Sequence, residues 1–243
     1  MESIFESDLN KMNFSKIINI ADKNLKRLFP INRSILNKGV EDSLNFLKED
    51  IDFEILKIES GFSCYDWIVP KEWSISEAYI KADGLNVIDF KENNLHVLNY
   101  SEPIDKELSY DELLPHLYYI KNQPDAIPYR TSYYKKNWGF CLSYNQFLEL
   151  NKKSTFRVKI NSKFFKGNIS IAEKVIKGKV KDEILISAYS CHPSMANDSL
   201  SGVIVWSMLL NVLQEQKPYY TYRFVLLPET IGSISYLKLR ERE

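Results

Sequence analysis

The sequence predicts an α/β fold, a parallel or mixed sheet with flanking helices, interrupted by a small β-rich inserted domain. Three observations carry this reading. Two apolar runs of strand length, "DEILISAYS" and "YTYRFVLLPE", flank the helix-length segment "NDSLSGVIVWSMLLNVLQEQ". Strand, helix and strand in series imply parallel strands joined by a crossover. The texture then differs between 64 and 160, where Pro, Trp and Tyr crowd into "DWIVPKEW", "NQPDAIPYR" and "TSYYKKNWGFCLSY". The expected division is 1–63, 64–162 and 163–243, the first and third parts forming one domain.

Each element has its own signal. Over residues 13–29, Phe14, Ile17, Ile18, Ala21, Leu25 and Leu28 recur at helical spacing and Pro30 stops them. A second helix fits 39–50, with Val40, Leu44 and Leu47 on one stripe. "DFEILKIES" reads as a strand ended by Gly61. In the insertion, short strands are expected at 86–90, 95–100, 138–143 and 154–160, with one helix at 109–120. "GNISIAEKVIKG" suggests a strand or hairpin into Gly178. "DEILISAYS" has the near-continuous apolar character of a strand buried on both faces. Asn197 or Asp198 is placed to cap the following helix, and "TIGSISYLKLRERE" opens another.

Composition narrows the function classes. Lys+Arg and Asp+Glu both number 32, so the net charge is zero and nothing points to nucleic acid or an anionic membrane. The three cysteines, Cys64, Cys141 and Cys191, are odd in number and widely spaced, which suits reduced thiols rather than a disulfide framework. The segment "MESIFESDLNKMNF" lacks the long apolar core of a signal peptide, and no run reaches a membrane span of roughly 18 residues. A cytoplasmic protein is expected, and a homo-oligomer is compatible with this composition. The phosphate-loop patterns GxGxxG and GxxxxGK[ST] and the nucleophile elbow GxSxG are absent.

The crossover has a chemical consequence. His192 follows the first strand of the series and Glu229 follows the second. A right-handed crossover sets those strand ends on one edge of the sheet. Open α/β sheets bind their ligands there. His192, Asp198 and Glu229 would share that rim, and an imidazole with two carboxylates is a donor set suited to a divalent cation such as zinc. Each residue also has a plain alternative. Asp198 would serve as a helix cap, Glu229 as a solvated residue at a helix start, and His192 as a loop histidine bonded to backbone. Cys191 lies beside His192, but neighbours in an extended segment point to opposite faces, which disfavours a thiol nucleophile. His96 and His116 read as structural. Trp67, Trp73, Tyr133, Tyr134 and Trp138 either wall a cleft or form the core of the insertion.

The motifs "CHPSMANDSLSG", "YRFVLLPETIGSISYL", "DWIVPKEW" and "IPYRTSYYKKNWGFCLS", in this order, resemble bacterial aminopeptidase-like proteins linked to polysaccharide biosynthesis. Those proteins are distant relatives of the zinc aminopeptidases and glutaminyl cyclases. The resemblance covers about 15–243 and implies a zinc-peptidase-like α/β domain carrying an inserted domain. It also implies a site for one or two zinc ions, with His192 as a ligand and Asp198 as the bridging carboxylate. Glu229 would be general base, ligand or both. The implied substrate is a small peptide or amino-acyl compound cleaved at an amide next to a free amine.

Ser194 and Thr230 stand where the peptidases carry carboxylates. Their later acidic ligand and final histidine have no counterpart before Glu243. The chain is therefore expected to be C-terminally truncated, to end within a helix, and to have little or no activity by itself. The alternative is a non-catalytic binding or assembly protein of surface polysaccharide biosynthesis.

Overall fold

The computed structural model describes residues 14–242. The reading of residues 1–13 as no signal peptide lies outside them. Two compact units are present, one made of the residues up to Val69 together with Asn168 onward, the other Pro70–Gly167. The insertion expected at 64–162 thus runs from 70 to 167. Residues 64–69 stay with the first unit because the hairpin they build is tied there by the Cys64 thiol, which donates to Ser235 Oγ at 3.4 Å.

The chain opens with α1 (Phe14–Leu28) and α2 (Lys38–Leu47). Asn37 caps α2, its side-chain oxygen accepting the Val40 N–H, and Val40, Leu44 and Leu47 are buried along one stripe. Strand β1 (Glu54–Glu59) and the hairpin β2 (Ser63–Cys64) and β3 (Trp67–Ile68) follow.

The second unit holds β4 (Glu72–Ala82), β5 (Leu85–Asp89), β6 (Ile104–Leu108), α3 (Tyr110–Leu113), β7 (Leu117–Tyr118), β8 (Phe140–Cys141), α4 (Tyr144–Leu148) and β9 (Phe156–Phe165). Its main sheet has the order β5-β4-β9-β6, all antiparallel. Two expected elements differ. The strand at 95–100 is replaced by a 3-10 turn over Asn94–His96, because the Asn93 side chain accepts the Leu95 N–H and closes the backbone locally. The helix expected over 109–120 ends at Leu113, and a 3-10 turn carries Pro115. Trp73 is buried in this unit and its indole N–H donates to Ser101 O at 3.0 Å.

The first unit resumes with β10 (Asn168–Ile176), β11 (Glu183–Tyr189), α5 (Ser201–Leu213), β12 (Thr221–Leu227) and α6 (Ile231–Leu239). Its sheet has the order β1-β10-β12-β11. The β11/β12 pair is parallel, as a crossover demands, and the other two pairs are antiparallel. The sheet is mixed because Asn168 pairs with Glu59, so the chain re-enters the sheet beside the point where it left. One face carries the core, where Phe53, Trp206 and Phe224 meet edge to face at 5.7 and 5.8 Å among Leu44, Leu47 and Leu210. Each such ring is worth roughly 1.5–3 kcal/mol of burial.

Two expectations for this unit are corrected. Strand β11 is not buried on both faces. It lies at the sheet edge, with Ile184, Leu185 and Tyr189 exposed. The last helix does not run to Glu243 either. It closes after Leu239, where the Arg240 N–H bonds Tyr236 O and the Arg240 side chain turns to Glu173.

Candidate functional site

The register of β11 and β12 pairs Tyr189 with Leu227, so the two strands end side by side. Ser190 extends the match, its N–H donating to Leu227 O at 2.9 Å. His192 follows one strand end and Glu229 the other. The Glu229 N–H reaches back to Cys191 Sγ at 3.3 Å, which ties the two loops together. Thr230 (φ 57°) and Ser194 (φ 44°) both occupy the left-handed region, turning each loop sharply just past the site residue.

His192, Asp198 and Glu229 are brought together around one imidazole. His192 is 4% exposed. Its Nδ1 lies 3.3 Å from Asp198 Oδ1 and 3.2 Å from Ser199 Oγ, and its Nε2 lies 3.2 Å from Glu229 Oε2. Asp198 does not act as a helix cap. Its φ of −119° and ψ of 93° are non-helical, within an irregular turn over Ala196–Leu200, and α5 starts with no side-chain cap. The N-cap position of α5 is Leu200, which has no side chain able to cap.

The hydrogen bonds assign the tautomer. The Ser199 hydroxyl donates its one hydrogen to Tyr189 O at 2.8 Å. Its oxygen therefore accepts from Nδ1–H, with Asp198 sharing that donor. A neutral ring then presents the Nε2 lone pair to the Glu229 carboxylate. Two acceptors 3.2 Å apart repel unless a proton or a cation lies between them.

Two donors on a tetrahedral ion with bonds of roughly 2.0–2.2 Å stand about 3.3–3.6 Å apart. The Nε2–Oε2 separation of 3.2 Å falls just short of that range, close to two adjacent corners. Asp198 lies on the other ring nitrogen, so the three side chains do not converge on one point. Among the described residues no group of three or more His, Cys, Asp or Glu side chains is arranged to hold a metal.

Two contributors escape sequence reasoning. Ser199 fixes the ring through its hydroxyl. Arg33, buried between α1 and α2, donates from Nε to His192 O at 3.0 Å and from its guanidinium to Leu28 O. Burial pulls the Arg33 guanidinium down to about 10, still a cation at neutral pH. Nothing in the local pattern of "FPINRSILN" marks this arginine, since its partner lies 159 residues away. Cys191 is inert as a nucleophile, because burial pushes its thiol up to about 12. His96 and His116 are structural. Their Nδ1 atoms meet Cys141 O at 2.8 Å and Trp138 O at 2.9 Å, and His116 stacks on Trp138.

The chain is similar to several known proteins. A family described as a domain of unknown function, DUF4910, matches residues 23–243. A Clostridium acetobutylicum protein named for polysaccharide biosynthesis, with an aminopeptidase-like domain, is 46% identical over 218 residues, 89% of this chain and 50% of that protein. A crystal structure titled as a peptidase from Clostridium acetobutylicum superposes with a TM-score of 0.91 and 44% identity, covering 99% of this chain and 56% of that one. BSAP, a zinc aminopeptidase from Bacillus subtilis, shares the fold at a TM-score of 0.55 and 12% identity, over 91% of this chain and 63% of that one. The chain spans about half the length of the curated relative it matches.

Proposed function

The chain belongs to the DUF4910 family, and from that premise we propose that it carries one rim of a zinc-dependent, aminopeptidase-like hydrolytic site serving polysaccharide biosynthesis. The observation that carries the reading is the facing of His192 Nε2 and Glu229 Oε2 at 3.2 Å, at the matched ends of two parallel strands. The names of the Clostridium acetobutylicum relatives support the same reading.

His192 Nε2 and Glu229 would hold the ion. Asp198 and Ser199 keep the proton on Nδ1, so that Nε2 stays a donor of electron density. Zinc held there would supply the lowering of a bound water's pKa and the polarisation of a carbonyl. Glu229, half-exposed, is open to solvent and can take a proton from water and return it to a leaving amine. The substrate class proposed is a small peptide or amino-acyl compound.

Equilibrium dialysis against zinc tests this. The chain should retain about one zinc, and His192→Ala should weaken retention at least ~100-fold. Unchanged zinc affinity in His192→Ala would overturn the proposal. A second reading, a non-catalytic binding or assembly protein, is favoured by the lack of a three-ligand group among the described residues. Amide hydrolysis that disappears in Glu229→Gln would exclude that second reading.

A further inference from the structure

The chain leaves the sheet before it reaches the imidazole. The Ser190 N–H still bonds Leu227 O in line with the β11/β12 ladder, and His192 lies two residues further on. Pro193 restricts His192 to extended backbone. A restricted backbone aims a side chain only where its peptide plane is also fixed in space. That fixing comes from the connection between α1 and α2. Arg33, 2% exposed, donates from Nε to His192 O at 3.0 Å. Two residues past His192, Ser194 Oγ donates to Phe29 O at 3.0 Å. The carbonyl of the site residue and the turn just beyond it are thus both tied to residues 29–33.

The connection is itself braced. The Arg33 guanidinium also donates to Leu28 O, so one side chain serves the site loop and a carbonyl at the end of α1. The Asn37 amide accepts the Ser34 N–H at 3.1 Å and donates to Asn32 O at 2.8 Å. The residues on both sides of Arg33 therefore hang from one side chain. Gly39 lets α2 sit against this turn, because a Cβ there would lie 1.9 Å from Asn32 O. Burying a charge is unfavourable, and the planar fork of a guanidinium suits a place where two acceptors must be held at once.

We propose that Arg33 is a positioning residue of the candidate site. Braced by Asn37 and Gly39, it fixes the His192 peptide plane. The ring then keeps Nδ1 against Ser199 and Asp198, and turns Nε2 to Glu229. The purpose of this mount rests on the proposed metal site, but the positioning itself is measured without metal.

The test is nitrogen-15 NMR of the His192 ring in the metal-free full chain, at a pH where the ring is neutral. The wild type should carry its proton on Nδ1. In Arg33→Ala the form protonated on Nε2 should appear, and zinc affinity should fall ~10- to 100-fold. Ethylguanidinium, which replaces the missing group, should restore both. Leu210→Ala opens a cavity near the far end of α5; it should lower the melting temperature and keep the wild-type ring signals. Gly39→Ala keeps the guanidinium but displaces Asn32, and it should shift the ring signals as Arg33→Ala does. It decides the matter if Arg33→Ala does not fold. Wild-type ring signals in folded Arg33→Ala or Gly39→Ala would overturn the proposal, as would the same change in Leu210→Ala. A wild type that binds no zinc would overturn the metal reading alone, because the ring signals still report on Arg33.

Discussion

A buried carboxylate persists only where its charge is answered. Glu173 on β10 accepts from Tyr236 Oη, from Arg240, and from Arg223 at 2.8 Å. Burial alone would raise its pKa, but these three donors outweigh burial and hold it below the ordinary 4.5. A lowered native value means that the unfolded chain binds the proton more readily. The stabilisation is therefore complete above the ordinary glutamate range and is lost as the pH falls through the native value. Glu173→Gln should cost ~2 kcal/mol at neutral pH and flatten the fall of stability below pH 4.5. Urea unfolding across that range measures both. An acid fall as steep in the variant as in the wild type would contradict this account. The same scale shows what the sequence exposes of the site. His192 and Glu229 were legible because each directly follows an apolar strand. Asp198 was legible as a carboxylate near the rim, but whether it caps α5 or turns to the imidazole depends on a backbone conformation that no local pattern encodes. Ser199 and Arg33 act through hydrogen bonds to backbone and ring atoms distant in sequence or hidden in an irregular turn, and residue type carries no trace of that.

Among the elements, α5 and α6 make opposite demands on their glycines. Near the start of α5, a Cβ on Gly202 would meet only Ala188 Cβ, at 3.7 Å, an ordinary contact. The close approach of helix to strand does not require glycine there. Gly202→Ala should raise stability by about 0.5–1 kcal/mol through helix propensity. In α6, a Cβ on Gly232 would come within 2.8 Å of the Pro228 ring, and Gly232→Ala should lower stability. Thermal melts of the two variants should move in opposite directions. The strands show where periodicity succeeds and fails. Strand β4 escaped sequence reasoning because a bulge between Ile75 and Glu77 shifts its register. The buried positions pass from odd, at Trp73, to even, at Ala78 and Ile80, so no single alternation runs through it. Strand β11 was legible as a strand, yet its expected burial was not met, because it lies at the edge of the sheet, where Ile184, Leu185 and Tyr189 are exposed.

For the whole molecule, the aminopeptidase-like architecture follows from a short list of sequence facts, the apolar runs and the crossover between them. The order of the sheet was less accessible. Antiparallel β1 and β10 are brought together by a chain that leaves and returns at the same place, and 108 residues separate the ends that pair, Glu59 and Asn168 (168 minus 59, less one). The architecture matters to function because it delivers His192 and Glu229 to one rim and leaves Asp198 behind the ring. The proposed cation would lie between His192 Nε2 and Glu229. Nitrogen-15 NMR of the His192 ring during zinc titration tests it most directly. Nδ1 should keep its proton throughout, Nε2 should shift on adding zinc, and Glu229→Gln should greatly weaken the response. A ring whose Nε2 ignores zinc, or whose proton resides on Nε2 in the neutral form, would contradict it.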